Sequence, residues 1–282
     1  MKKRKIVGSA IVGNIVEYYD FGVYAAFAAT IGEVFFPSVS KISQLLLSFS
    51  IFALGFFARP LGGIIFGHIG DKFGRRTALT ISIVGMAFCT FAIGALPGYA
   101  AIGIAAPVML TMIRLMQGIC VGGEGAGSAI FILEHLNGYR PGLIGSIVMA
   151  SNMVGTLLAY FFAFIIKEYF GLESWRFGFY IGAIMGVSGL YLRFQLSETP
   201  IFKNAKEENL IEKKPLFKAF KNHWKRMLLV AFLGAVTSVV AYTIRAFLKT
   251  YLQDFLGYSS EESFTFTLLS LFIMIITLPF FG

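Results

Sequence analysis

The sequence predicts an all-α, polytopic membrane protein, and three observations carry that prediction. Of its 282 residues, 57% are hydrophobic. Only 14% are charged, where a water-soluble domain needs roughly a quarter for its polar shell. The apolar residues also fall into runs of about 20, the length an α-helix needs to cross a bilayer, and the mean hydropathy is +0.75. Disorder, a coiled coil and a secreted disulfide scaffold are excluded by this composition. Cys89 and Cys120 lie in long apolar runs, so buried small hydrophobes are expected rather than a bridge or a metal site.

Eight stretches qualify as spans, at approximately residues 10 to 36, 45 to 69, 78 to 96, 103 to 133, 143 to 166, 177 to 196, 227 to 248 and 264 to 282. The charge-free run from Thr77 to Ile113 is too long for one crossing, and Pro97-Gly98 supplies a turn between two. Orientation follows from the basic residues between runs. With the N-terminus inside, the cytoplasmic segments hold Lys2, Lys3, Arg4, Lys5, Lys72, Arg75, Arg76, Arg140 and eight basic residues between 203 and 226, together 16 of 24. The opposite face holds Lys41, Lys167, Arg176 and Lys249. The net charge of +9 is therefore read as a topological signal, and no nucleic-acid partner is expected. Trp175 and Trp224 flank spans and are expected as interfacial anchors. Glu17 and Asp20 interrupt the first apolar run, so it reads as a retained span and not a cleaved leader. Three units result: a six-helix bundle over residues 1–197, a solvated amphipathic connector over 198–226, and two helices of a second bundle over 227–282.

Ionisable residues inside a span are costly unless they face a cavity or a partner. In the first span, Gly13, Glu17, Asp20, Tyr24 and Phe27 recur at three- and four-residue steps and share one helical face. Such a face carries a proton or holds a cationic group; alternatively its acids pair with an arginine to lock the bundle. The second span contains Arg59-Pro60 followed by Gly62, Gly63 and Gly67, which predicts a kink, close helix approach, and an acidic partner for Arg59 on the first span. The fourth span places Arg114, Gly118 and Gly122 at four-residue steps. Glu124 lies about 80° from Arg114 around an ideal helix, near Gln117, which suggests one polar strip. A similar small-residue seam at Gly178, Gly182 and Gly186 on the sixth span reads as packing.

The sharpest motif is GHIGDKFGRRT, from Gly67 to Thr77, between the second and third spans. Basic residues on the inner side explain Arg75 and Arg76 but not the embedded Asp71, Gly67 and Gly74. The motif resembles the G-x-x-x-D-[RK]-x-G-R-[RK] signature of the major facilitator superfamily, and Arg114-x-x-x-Gly118-x-x-x-Gly122 matches a second motif of that family. The opening GNIVEYYDFGVYAAFA, RPLGG at Arg59 to Gly63, and SETPIF at Ser197 to Phe202 narrow the resemblance to its metabolite:proton symporter branch, closest to members that carry proline and betaine.

That resemblance implies two pseudo-symmetric six-helix bundles around a central cavity, with transport by rocking one against the other. It implies a gating role for Gly67, Asp71, Gly74, Arg75 and Arg76, and proton or substrate roles for Glu17, Asp20, Tyr24, Arg59, Arg114 and Glu124. The expected ligands are protons and a small zwitterionic or carboxylate solute such as proline or glycine betaine. Dicarboxylates, citrate or shikimate are the alternatives within the branch, and an inactive relic or a channel the alternatives outside it. Two departures stand beside the resemblance. After Glu134, EHLNGYRPG puts Asn137 where the family has proline and Pro141 where it has arginine. The sequence also ends at LPFFG, Leu278 to Gly282, so about 8 of 12 family spans are expected, from a fragment or a truncated gene. No H-E-x-x-H, G-x-S-x-G or phosphate loop is present, GGEGAG at Gly122 to Gly127 lies within an apolar run, and His68, His135 and His223 are scattered singly, so neither an enzyme nor a cofactor is expected.

Overall fold

The structure is a computed structural model that describes residues 3–136, 140–212, 215–242, 251–252 and 256–280. Asn137, Lys249, Gly282 and the last part of the expected seventh span lie outside the described residues. Helices α1 (Lys3–Ala26) and α2 (Ala28–Phe35) form the first rod, interrupted at Phe27. Next come α3 (Lys41–Phe73), α4 (Arg75–Ala95), the single turn α5 (Tyr99–Ile102), α6 (Ala105–Val121), α7 (Glu124–His135) and α8 (Pro141–Ile165). Helices α9 (Arg176–Phe194), α10 (Pro200–Glu207), α11 (Pro215–Tyr242) and α12 (Ser260–Thr277) complete the described chain.

Local chemistry sets the boundaries. Ser40 caps α3 by accepting from the Ser43 amide at 3.3 Å, and Thr199 caps α10 by accepting from the Phe202 amide at 3.3 Å. Ser259 and Glu262 form a reciprocal capping box on α12. The expected turn at Pro97-Gly98 separates α4 from α5. Pro60 leaves α3 continuous over 33 residues, sitting on its exposed side.

Among the described residues, five stretches are long and apolar enough to cross a membrane: Lys41–Phe73, Arg75–Ala95, Ala105–His135, Pro141–Phe170 and Leu172–Phe194. α1 is not among these stretches, since Asn14, Glu17 and Asp20 lower its hydropathy, yet Glu17 and Asp20 are buried in the bundle, with 3% and 1% exposure. Burial inside protein is the condition under which a span tolerates acids. The apolar part of α11 begins after a break at His223, which divides the basic connector turn from the span.

Packing follows small residues. α1 lies on α8 and α9, α3 on α6, and α4 on α9 and α6. Between α3 and α6 the contact is backbone to backbone: a side-chain carbon at Gly62 would overlap the Ile119 carbonyl, and one at Gly118 the Gly55 carbonyl. Away from the α3–α4 junction, an apolar cluster of Phe27, Ile31, Phe35, Ile93, Trp175 and Phe179 fills the interior. Trp175 belongs to this cluster, with its ring 6.3 Å from Phe35 and 5.6 Å from Phe179. At 2% exposure it is a core residue, which corrects the expectation of an interfacial anchor; Trp224 is half-exposed. A short loop between the π-helical turn Ile166–Phe170 and α9 tucks the indole inward.

Candidate functional site: a polar column and a charged junction

The face of α1 that carries Gly13, Glu17, Asp20 and Tyr24 is buried, and each step of it meets a different set of partners. At Glu17, Arg59 of α3 approaches Oε1 with Nη2 at 3.4 Å. The same guanidinium lies over the rings of Phe21 and Phe56, at 4.3 and 4.6 Å from their centroids. At Asp20, Oδ2 accepts from Thr90 Oγ1 of α4 and from Gln117 Nε2 of α6, the latter at 2.9 Å. Gln117 in turn accepts from Arg114 Nη1, so Arg114 reaches Asp20 through an amide relay. The Arg114 guanidinium stacks 3.7 Å above the Tyr24 ring, and the Tyr24 hydroxyl donates to the Ser48 carbonyl at 3.1 Å.

Glu124 stands apart from this pair. α6 ends at Val121 and α7 begins at Glu124, and Gly122 and Gly123 between them stay in the right-handed helical region, so the rod runs on through a tightened turn. Arg114, Gln117 and Glu124 are all buried, so the expected polar strip is present, divided between two sets of partners. Glu124 accepts from Arg193 Nη2 of α9 at 2.6 Å and from Ser82 Oγ of α4 at 2.5 Å. This cluster abuts Gly13, where a side-chain carbon would overlap the Arg193 guanidinium. Glu124, Glu17 and Asp20 thus form a column of acids, each set near an arginine: Arg193, Arg59 and Arg114.

The column is not saturated. Glu17 Oε2, Asp20 Oδ1, both side-chain polar atoms of Asn14, and Arg114 Nε and Nη2 are buried without a hydrogen-bond partner among the described residues. Buried polar atoms are normally satisfied, so such a cluster marks a place where water, protons or a polar solute complete the bonding.

The second site is the α3–α4 junction. Gly74 alone separates the two helices, with φ +107° and ψ 150°, a region essentially restricted to glycine. Its open side receives the Glu198 carboxylate, which accepts from the Arg76 amide at 3.1 Å with each oxygen. Asp71 pairs with Arg75 at 2.6 Å, and Arg75 pairs with Glu134 of α7 at 3.1 Å. Thr199 donates to the other Glu134 oxygen at 2.6 Å. Arg76 donates to the Arg193 and Phe194 carbonyls. A side-chain carbon added at Gly67 would meet nothing within 4 Å among the described residues, whereas one at Gly70 would meet the Arg75 guanidinium. A cleft of about 350 Å³ beside the junction is lined by Asp71, Arg75, Glu134, Phe202, Glu212 and Lys218 among others.

Several of these groups escape sequence reasoning. Thr90 and Ser82 sit singly in apolar runs, and nothing in the pattern singles them out. Glu198 stands in a stretch that carried the family resemblance and Glu134 at the start of one that departs from it, and neither was assigned a contact; Glu134 nonetheless pairs with Arg75. Arg193 was readable as an unexplained charge near a span end.

Long apolar rods around charged interior groups, with a glycine-hinged charged junction at one end, define a helical, multi-pass membrane bundle. The sequence profile of the Major Facilitator Superfamily matches residues 10–282, and the chain belongs to that family. The proline/betaine transporter of Salmonella typhimurium is 35% identical over all of this chain and 59% of its own length. The glycine betaine/proline/ectoine/pipecolic acid transporter OusA of Dickeya dadantii is 34% identical over 99% of this chain and 58% of its own. The chain therefore spans about three fifths of the length of these relatives. Among solved structures, the proton:xylose symporter XylE bound to 6-bromo-6-deoxy-D-glucose superposes with a TM-score of 0.75 at 17% identity, over 98% of this chain and 68% of that one. Inward-open XylE from E. coli gives 0.66 at 20% identity, over 99% and 67%. These structural likenesses speak for the fold.

Proposed function

We propose that this polypeptide is part or all of a secondary transporter that couples proton movement to uptake of a small zwitterionic solute, such as proline or glycine betaine, by alternating access. The observation that carries the reading is the unsaturated polar column inside a bundle whose relatives are named for proline and betaine transport. In it, Glu17 and Asp20 are the proton-binding acids. Arg114, with free N–H groups beside Tyr24, receives the solute carboxylate, and Arg59 and Glu124 set the charge balance. Asp71, Gly74, Arg75 and Arg76, with Gly67, form the gate that closes the cytoplasmic side. Residues 1–197 are the first bundle, 198–226 the connector, and 227–282 the start of a second bundle. The excess of basic residues in these segments supports a cytoplasmic N-terminus and connector, and the bacterial transporter relatives support a cell (inner) membrane.

Accumulation of labelled proline or glycine betaine in proteoliposomes tests this reading. An inward proton gradient is expected to drive accumulation, and a protonophore to abolish it. Accumulation of a dicarboxylate, citrate or shikimate instead would move the polypeptide to the other solute class of the branch, and no accumulation of any of them would overturn the proposal.

A further inference from the structure

Arg193, near the C-terminal end of α9, does two different things with its side chain and its backbone. The guanidinium binds Glu124 at 2.6 Å, and the two side chains are 2% and 0% exposed. Ser82 and Ser128 also face Glu124, and Glu17 on α1 lies close enough to act on it electrostatically. The Arg193 carbonyl, in contrast, accepts from Arg76 Nε at 3.3 Å, and the next carbonyl, Phe194, accepts from Arg76 Nη2 at 3.0 Å. Arg76 is also the residue whose amide is held by Glu198 across Gly74. One residue therefore grips a buried acid on one side and the junction arginine on the other.

The surroundings make this grip conditional. Glu124 is the one acid paired with Arg193 among the described residues, and Nε and Nη1 of the guanidinium have no partner there. A buried guanidinium that loses its acid cannot stay where it is without a large uncompensated charge cost. Beside it lies a cavity of about 10 Å³, the size of roughly one water, bordered by Ser9, Arg76, Leu79 and Arg193. That space adjoins the last turn of α9, which carries both carbonyls that Arg76 holds.

We propose that Arg193 is a positioning residue that couples its pairing with Glu124 to the gate: the intact pair keeps the end of α9 in the orientation that holds Arg76, and separation of the pair releases it. The proposal rests on the gating reading of the junction, but its test needs no solute, so its failure is distinguishable from failure of the transport assay.

The test is amide hydrogen exchange on the full polypeptide in lipid nanodiscs. Glu124→Gln and Arg193→Gln are expected to speed exchange of amides in residues 194–202 and 74–80 by about tenfold or more, while the α3–α6 seam stays protected. Arg193→Lys, which keeps a cation on Glu124, is expected to restore protection of the gate segments. If a single variant fails to insert, Glu124→Gln combined with Arg193→Met removes both charges and leaves no orphan, and it too is expected to loosen the gate. Gate exchange within twofold of wild type in the double variant, or loosening spread evenly over all helices, would overturn the proposal.

Discussion

At the scale of single residues, two positions concentrate the argument. Gly74 combines a backbone conformation that only glycine adopts easily with a side that faces the Glu198 carboxylate. Gly74→Ala is expected to destabilise the bundle by about 1–3 kcal/mol from backbone strain alone, with more from displacement of Glu198. Denaturant unfolding in detergent measures it. Adding Glu198→Ala should recover the displacement part and leave the strain; full recovery would mean that the backbone conformation is unstrained. Glu17 is the second position, because its pair with Arg59 fits either a proton site or a lock. Glu17→Gln keeps the shape and removes the charge. Gradient-driven uptake is expected to fall by about 5- to 150-fold, the range of a coupling free energy of ~1–3 kcal/mol, while solute exchange without a gradient persists. Undiminished gradient-driven accumulation would assign the pair to the lock.

At the scale of elements, the helices were largely legible and their partnerships were not. Apolar runs and the Pro97-Gly98 break mark the rods within a few residues of their ends, because span length is fixed by the bilayer. The spacing of Glu17 and Asp20 shows a shared face on α1. It cannot show that Thr90 and Gln117 meet Asp20, since those contacts depend on which helices adjoin in space. Glu124 is the clearest case: the helical period puts it on the face of Gln117, where it is buried, but cannot show that Arg193 and Ser82 meet it there. Trp175 went the other way, since position near a span end carries no information on how a loop folds inward. The α3–α6 seam offers an element-level prediction. Gly62→Ala is expected to cost about 1–3 kcal/mol by forcing a side chain into the Ile119 carbonyl. Gly67→Ala, which meets nothing within 4 Å, is expected to leave the stability of this bundle unchanged or slightly raised. Equal losses in the two variants, read by thermal unfolding, would remove close approach as the role of the seam.

At the scale of the whole molecule, the account joins two sites at different heights of one bundle. The proposed proton and solute site is the acid–arginine column, and the junction at Gly74 ties α3, α4, α7 and the end of α9 together. Family membership rests on the sequence profile and on relatives of 34–35% identity, and the fold on superposition with solved symporters. Coupling between proton and solute is the central proposal, and its support is acids that lie inside protein, away from solvent, with oxygens that have no hydrogen-bond partner among the described residues. The most direct measurement is internal pH in proteoliposomes loaded with a pH-sensitive dye. Addition of glycine betaine or proline outside, with no imposed gradient, is expected to acidify the lumen as solute enters. Entry of labelled solute with no change in internal pH, with the vesicles clamped against membrane potential, would contradict the account.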